Sequence, residues 1–134
     1  MNGRSDHHGY IRAVAAQLRE GELGIGVMNT RIGTREGLRW AELRLEPAET
    51  PYLQPDEDYV ALIWDEERGW GWYVASDRPE ERLWRGFEVA PLPAEVAAWA
   101  QAVVHTVVFP REETVMRSRD EESAQLEELL ASFA

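Results

Sequence analysis

Apolar side chains recur at three- and four-residue spacing near the start of the chain, where Tyr10, Ile11, Val14, Ala15 and Leu18 share one side and Arg12, Arg19 and Glu20 the other. That period predicts an amphipathic helix, with Asp6 or Ser5 as its cap and Gly21 as its stop. The period then changes to two. Leu23, Ile25 and Val27 alternate with Gly24, Gly26 and Met28, which predicts a strand over 23–30 followed by a polar connection from Arg31 to Gly37. A second strand is predicted over 38–46, but its alternation slips: Leu38 and Trp40 share one parity, Ala41, Leu43 and Leu45 the other. A bulge near Trp40 or Ala41 would reconcile the two. Pro47, Pro51 and Pro55 deny the next stretch both helix and ladder hydrogen bonds. Residues 47–58 therefore read as a stiff surface loop, with a lid over a site as the functional alternative.

The clearest supersecondary signal follows. Tyr59 to Trp64 is apolar, Asp65 to Gly69 is a polar turn in which Gly69 can take positive φ, and Trp70 to Ala75 is apolar again. This predicts a β-hairpin. Leu83 to Ala90 reads as a further strand, stopped by Pro91 and Pro93. A helix from about Ala94, with Pro93 near its first turn, carries Val96, Ala97, Trp99, Ala100, Val103 and Val104 and ends by Pro110. A last amphipathic helix runs from Ser118 or Asp120 to Phe133, with Leu126, Leu129, Leu130 and Phe133 as its apolar stripe. Connections between strands are too short for helical crossovers. The expected fold is α+β: an antiparallel sheet of four to five strands with an N-terminal helix and two C-terminal helices. Residues 1–109 form the expected core domain and 110–134 an acidic, amphipathic helical extension.

The hairpin is also the most informative place for function. Trp70, Trp72 and Val74 point to one face, and Gly71, Tyr73 and Ala75 to the other; on the partner strand Tyr59, Ala61 and Ile63 oppose Val60, Leu62 and Trp64. Neither face carries the polar alternation of a wet sheet surface, so both are expected to be covered. Gly71 between two tryptophans leaves a slot where a ligand or another backbone could approach, and aromatic residues of this kind anchor interfaces and pockets. The plainer reading is that these tryptophans fill the core. The candidate binding residues are Trp64, Asp65, Arg68, Trp70, Gly71, Trp72, Tyr73, Trp84 and Arg85. The stripe Leu126, Leu129, Leu130 and Phe133 either caps the sheet or meets a second copy in a homodimer. The leading expectation is a non-catalytic module that holds a protein partner or a small ligand on this hairpin. A small enzyme acting on a compact substrate in a pocket over Gly71 is the competing class, with Asp65, Glu66, Tyr73 or His105 as acid or base.

Composition narrows these classes. The 134 residues include no cysteine, so neither disulfides nor thiolate chemistry enter. No run of about 18 apolar residues is present, so no membrane-spanning helix is expected. Residues 1–20 lack an apolar signal core, and a soluble, cytoplasmic protein is the expectation. The net charge of −11 opposes generic binding to a phosphate backbone, and no nucleic-acid partner is expected. The charge is uneven: residues 1–44 hold seven arginines and five acids, and the rest seven arginines and twenty acids. The basic third includes Arg31, Arg35, Arg39 and Arg44 around Trp40, a set able to grip an anionic ligand or an acidic partner surface. The acidic runs Asp56–Asp58, Asp65–Glu67 and Asp120–Glu122 permit a third class, an acidic mimic of nucleic acid. The first two runs lack the oxygen spacing of a calcium loop. His7 and His8, being adjacent, could not share one helical face, and His105 is distant, so neither metal nor cofactor is expected. The string from Gly24 to Asn29 begins like a dinucleotide loop but lacks its third glycine and lies within a strand pattern.

Three strings together, G-Y-I-R-A-V-A at Gly9 to Ala15, W-D-E-E-R-G-W at Trp64 to Trp70 and P-L-P-A-E-V-A-A-W at Pro91 to Trp99, resemble a small domain family of unknown function. That family belongs to high-GC filamentous bacteria, in agreement with basic residues that are all arginine. The resemblance covers roughly residues 9–100 and implies no activity, cofactor or catalytic residue.

Overall fold

Helix α1 (His8–Glu20) leads into strands β1 (Val27–Arg35), β2 (Leu38–Leu45), β3 (Glu57–Asp65), β4 (Gly69–Ser76) and β5 (Leu83–Trp84), then helices α2 (Pro93–His105) and α3 (Ser123–Ser132). The computed structural model describes residues 6–20, 24–46, 56–77, 82–85, 89–105 and 123–133. The strands form one sheet in chain order, each antiparallel to the next. The expected α+β architecture is therefore present. Of the expected proline loop over 47–58, residues 47–55 lie outside the described residues, as do the stop at Gly21 and residues 106–122, while Glu57 and Asp58 belong to β3 and not to a loop.

Because strand side chains alternate, each strand divides its residues between two faces. One face packs against the helices. Ala41, Leu43 and Leu45 of β2, Val60, Leu62 and Trp64 of β3, and Trp70 of β4 join Tyr10, Ile11, Val14 and Leu18 of α1 in a single apolar cluster. Val96, Ala100 and Val104 of α2 and Leu126 and Leu130 of α3 complete it, with Leu129 and Phe133 packed against it. The stripe of α3 thus covers this chain's own core. The large aromatics keep their polar ends bonded, as burial requires. Trp64 Nε1 donates to the Val89 carbonyl at 2.8 Å, Trp70 Nε1 to the Tyr10 hydroxyl at 3.1 Å, and that hydroxyl to the Pro91 carbonyl at 2.6 Å.

Three strand expectations change. Strand β1 continues through the polar residues Arg31–Arg35, and its hairpin with β2 turns on Glu36 and Gly37 alone, both at positive φ, as a tight primed turn requires. As an edge strand, β1 needs no continuous apolar face, so its polarity concealed it. Strand β2 contains no bulge: its ladder with β1 is regular from Asn29↔Arg44 to Arg35↔Leu38, and both parities are apolar because both faces are used. Strand β5 is two residues long, paired with Gly71 and Trp72, and Val89 and Ala90 lie outside it. Among the described residues no helix is long and apolar enough to cross a membrane.

The β4–β5 pairing has little slack. A Cβ on Gly71 would lie 2.7 Å from the Trp84 ring and 2.8 Å from the Leu83 carbonyl oxygen, which is backbone and cannot turn aside. Gly71→Ala is expected to lower stability by about 1–3 kcal/mol in chemical denaturation. Gly33→Ala, whose Cβ would meet only the Trp40 side chain, is expected to cost less.

Candidate functional site

The face of the sheet turned away from the helices carries a different chemistry. Cross-strand register aligns Arg31, Glu42, Ile63, Gly71 and Trp84 in one row across all five strands, and Gly33, Trp40, Asp65 and Gly69 in the next. Two of the six tryptophans lie here, and each rests on a glycine of the neighbouring strand. The Trp40 ring occupies the space a Cβ on Gly33 would need, 2.8 Å away, and the Trp84 ring does the same over Gly71. The slot at Gly71 is therefore filled by the chain's own Trp84. The cleft lies beside it.

That cleft has a volume of about 400 Å³ and is lined chiefly by Trp40, Glu42, Ile63, Asp65 and Trp84, with Arg31, Arg35, Arg68 and Arg82 around them. Ile63 is buried in the floor, in a small cluster with Ala61 and Tyr73, while the four arginines are exposed. Trp40 leans over β1 and Trp84 over β4, three strands along, so the two indoles stand on either side of the β3 residues between them. Arginines lie against these rings: Arg31 is 5.9 Å from the Trp40 centroid and Arg68 5.5 Å from that of Trp84. Arg44 and Arg82 lie against Tyr59 and Tyr73 on the same face.

The acids of this face are held by the fold. Glu42 receives the Arg44 Nε at 2.7 Å and the Tyr73 hydroxyl at 2.8 Å. Asp65 caps the turn, accepting the amides of Glu67 and Arg68 at 2.9 and 2.6 Å and the Arg68 guanidinium at 2.8 Å. Burial, together with hydrogen bonds to Glu42 and Tyr59, pushes the Tyr73 hydroxyl far above its ordinary value of 10.0, so it keeps its proton. Glu66, a candidate acid or base in the sequence, is 2% exposed and lies on the helix side. It pairs there with Arg39, which also grips Glu127 of α3. Burial opposes the charge of Arg39, but the hydrogen bonds with Glu127 and Glu66 prevail and hold it protonated.

The nine candidate hairpin residues are thus divided. Asp65, Arg68 and Trp84 border the cleft, Gly71 lies beneath Trp84, and Tyr73 supports the floor. Trp64 and Trp70, at 1% and 0% exposure, belong to the core, and Trp72 packs against it. Arg85 donates its amide to the Trp70 carbonyl at 2.8 Å, extending the β4–β5 pairing. Of the basic group around Trp40, Arg31 and Arg35 reach the cleft and Arg44 the same face, while Arg39 is internal. Glu42 and Arg82 were not singled out by sequence. Placing the turn at Glu36–Gly37 would have revealed Glu42, since it sets Arg31 against Glu42 and Gly33 against Trp40.

A second cluster lies at the start of α1. The adjacency of His7 and His8 does not separate them, because His7 precedes the helix, and donor atoms of Asp6, His7 and His8 lie within 4.8 Å of one another. These groups are engaged already. Asp6 accepts the His8 amide at 2.8 Å and the His8 ring, and His7 Nε2 donates to the Trp40 carbonyl at 2.9 Å. His7 stacks on Trp64 at 5.7 Å.

The model of a family of unknown function (DUF6292) matches residues 10–102. No curated protein and no solved structure matches the chain. The matched segment runs from within α1 through most of α2, including every described cleft residue, and leaves α3 outside.

Burial holds the His7 pKa below its ordinary value of 6.5, outweighing the Trp40 carbonyl that favours the charged ring; His8 and Arg39 act with burial and Asp6 against it. The unfolded chain therefore binds this proton first as pH falls. The contribution of His7 is complete above about pH 6.5 and is lost as pH drops through its folded value. Denaturation midpoints compared near pH 7.5 and near pH 5.5 are expected to fall more in the native chain than in His7→Gln.

Proposed function

We propose, for a chain that belongs to the DUF6292 family, that its role is binding without catalysis and that the outer cleft is the surface it uses. The observation that carries this reading is the pair of glycine-seated indoles, Trp40 and Trp84, flanking a buried apolar floor with arginines at the rim. A concavity of about 400 Å³ with aromatic walls and a few convergent polar groups suits a small ligand or the anchoring side chains of a partner. The candidate acids and the hydroxyl described on this face argue against a catalytic use. Asp65 is committed to the turn, Glu42 to Arg44 and Tyr73, and the Tyr73 hydroxyl keeps its proton at neutral pH. A general base must be able to turn toward a substrate proton, and these groups are held by hydrogen bonds within the wall.

The reading as a nucleic-acid mimic draws less support, since Asp65 and Glu66 are buried and bonded to arginines instead of extending an acidic surface. A screen of small fragments and short peptides, read by backbone amide shifts, tests the proposal. Hits are expected to converge on the amides of Arg31, Arg35, Ile63 and Trp84. Hits scattered over the surface, or gathered on the helix side, would contradict it.

A further inference from the structure

Resting on the outer cleft as the binding surface, we propose that its ligand is a small planar anion. Such a ligand is an aromatic or heteroaromatic ring bearing a carboxylate or phosphate, laid against the Trp40 indole with its charge held by Arg31 and Arg35.

Charge is the first reason. In a chain of net charge −11, the cleft gathers four arginines, Arg31, Arg35, Arg68 and Arg82, against three acids, Glu36, Glu42 and Asp65. Two of those acids are neutralised within the wall: Glu42 by Arg44 and the Tyr73 hydroxyl, Asp65 by Arg68 and two amides. The arginines of β1 are held far more loosely. Arg31 approaches Glu42 only to 3.9 Å and its side chain is 55% exposed. Arg35 has no ion-pair partner among the described residues. With Arg68 paired to Asp65 and Arg82 lying against Tyr73, Arg31 and Arg35 supply the positive charge on the β1 side of the opening, against Glu36 in the adjoining turn.

Geometry is the second reason. Arg31, Gly33 and Arg35 lie at alternate positions of β1 and so project from one face, about 7 Å apart at each step. Gly33 has no side chain, and the Trp40 ring takes its place. β1 thus presents guanidinium, indole and guanidinium in sequence. An indole offers a stacking surface to a flat ring, and a guanidinium fork meets a carboxylate or phosphate with two parallel hydrogen bonds. Size agrees as well, since about 400 Å³ is the scale of a small-molecule site and the tight Glu36–Gly37 turn bounds the cleft at one end.

Calorimetric titration of the full chain distinguishes the components. The probes are adenosine 5′-monophosphate and 2-naphthoate, with adenosine as the uncharged ring, inorganic phosphate as the ringless anion and a glutamate-rich decapeptide as the extended one. At least one of the two planar anions is expected to bind about tenfold more tightly than both adenosine and phosphate. Arg35→Ala, which removes an exposed side chain, is expected to weaken that binding about tenfold, as is Trp40→Leu. Arg12→Ala, on the exposed side of α1, is expected to leave it unchanged. Adenosine or phosphate binding as tightly as the planar anions, or an Arg35→Ala chain with undiminished affinity, would overturn the inference. If the decapeptide alone binds, and does so through Arg35, the ligand class is wrong while the cleft remains the binding surface. If no probe binds, both are wrong.

Discussion

The register of β3 on β4 governs the rest of this molecule. It sets Trp64 opposite Trp70 and Ile63 opposite Gly71. Because a strand alternates with a period of two, a slip of β4 by one residue would send Trp70 and Trp72 outward and turn Gly71 and Tyr73 toward the helices. The Asp65–Gly69 turn fixes that register. Asp65 accepts two turn amides, and Gly69 takes the positive φ of 78° that closes the hairpin. An acid that sequence reasoning could assign to catalysis is here the anchor of the sheet, and its proximity to the cleft follows from that structural duty.

The two faces then meet their polar groups in opposite ways. On the helix side, polar atoms are enclosed and paired. Arg39 joins Glu66 to Glu127 and so ties β2 and the β3–β4 turn to α3, and Tyr10 links Trp70 to the Pro91 carbonyl. Burying charge requires such pairing, because removing one member would leave the other uncompensated in a low dielectric. On the outer side, the guanidinium groups of Arg31 and Arg68 lie against aromatic rings while their side chains stay exposed. Such contacts cost little to break, so this face can exchange them for a ligand. The same residue type therefore acts as a fixed strut at Arg39 and as an available donor at Arg35.

Much of this was legible in the sequence. Helical spacing located α1 and the apolar stripe of α3, and the run around Asp65–Gly69 located the central hairpin with the correct residue at positive φ. Alternation also assigned Trp70 and Gly71 to opposite faces. Alternation cannot say which face the helices will cover, since both were apolar, and that ambiguity obscured the site. The slot at Gly71 was inferred from the missing side chain, but its filling by Trp84 depends on a two-residue strand too short to leave a periodic signal. The polar residues of β1 read as a connection because an edge strand has no need of an apolar face. With β1 misplaced, Gly33 could not be set against Trp40. The burial of Glu66 was invisible for a different reason: its partner Arg39 lies 27 residues away in sequence, and the Glu127 that shares that arginine lies 88 residues from it.

Trp64 and Trp70 lie on the sealed face of this sheet, and Trp40 and Trp84 on the face that carries the arginines. Indole N–H resonances of the six tryptophans report on both properties when a small anionic paramagnetic chelate is added and compared with a neutral one. The anionic chelate is expected to broaden Trp40 and Trp84 more strongly than the neutral one does, leaving Trp64 and Trp70 sharp in both. Equal broadening by the two chelates, or loss of the Trp64 and Trp70 signals alongside the others, would contradict it.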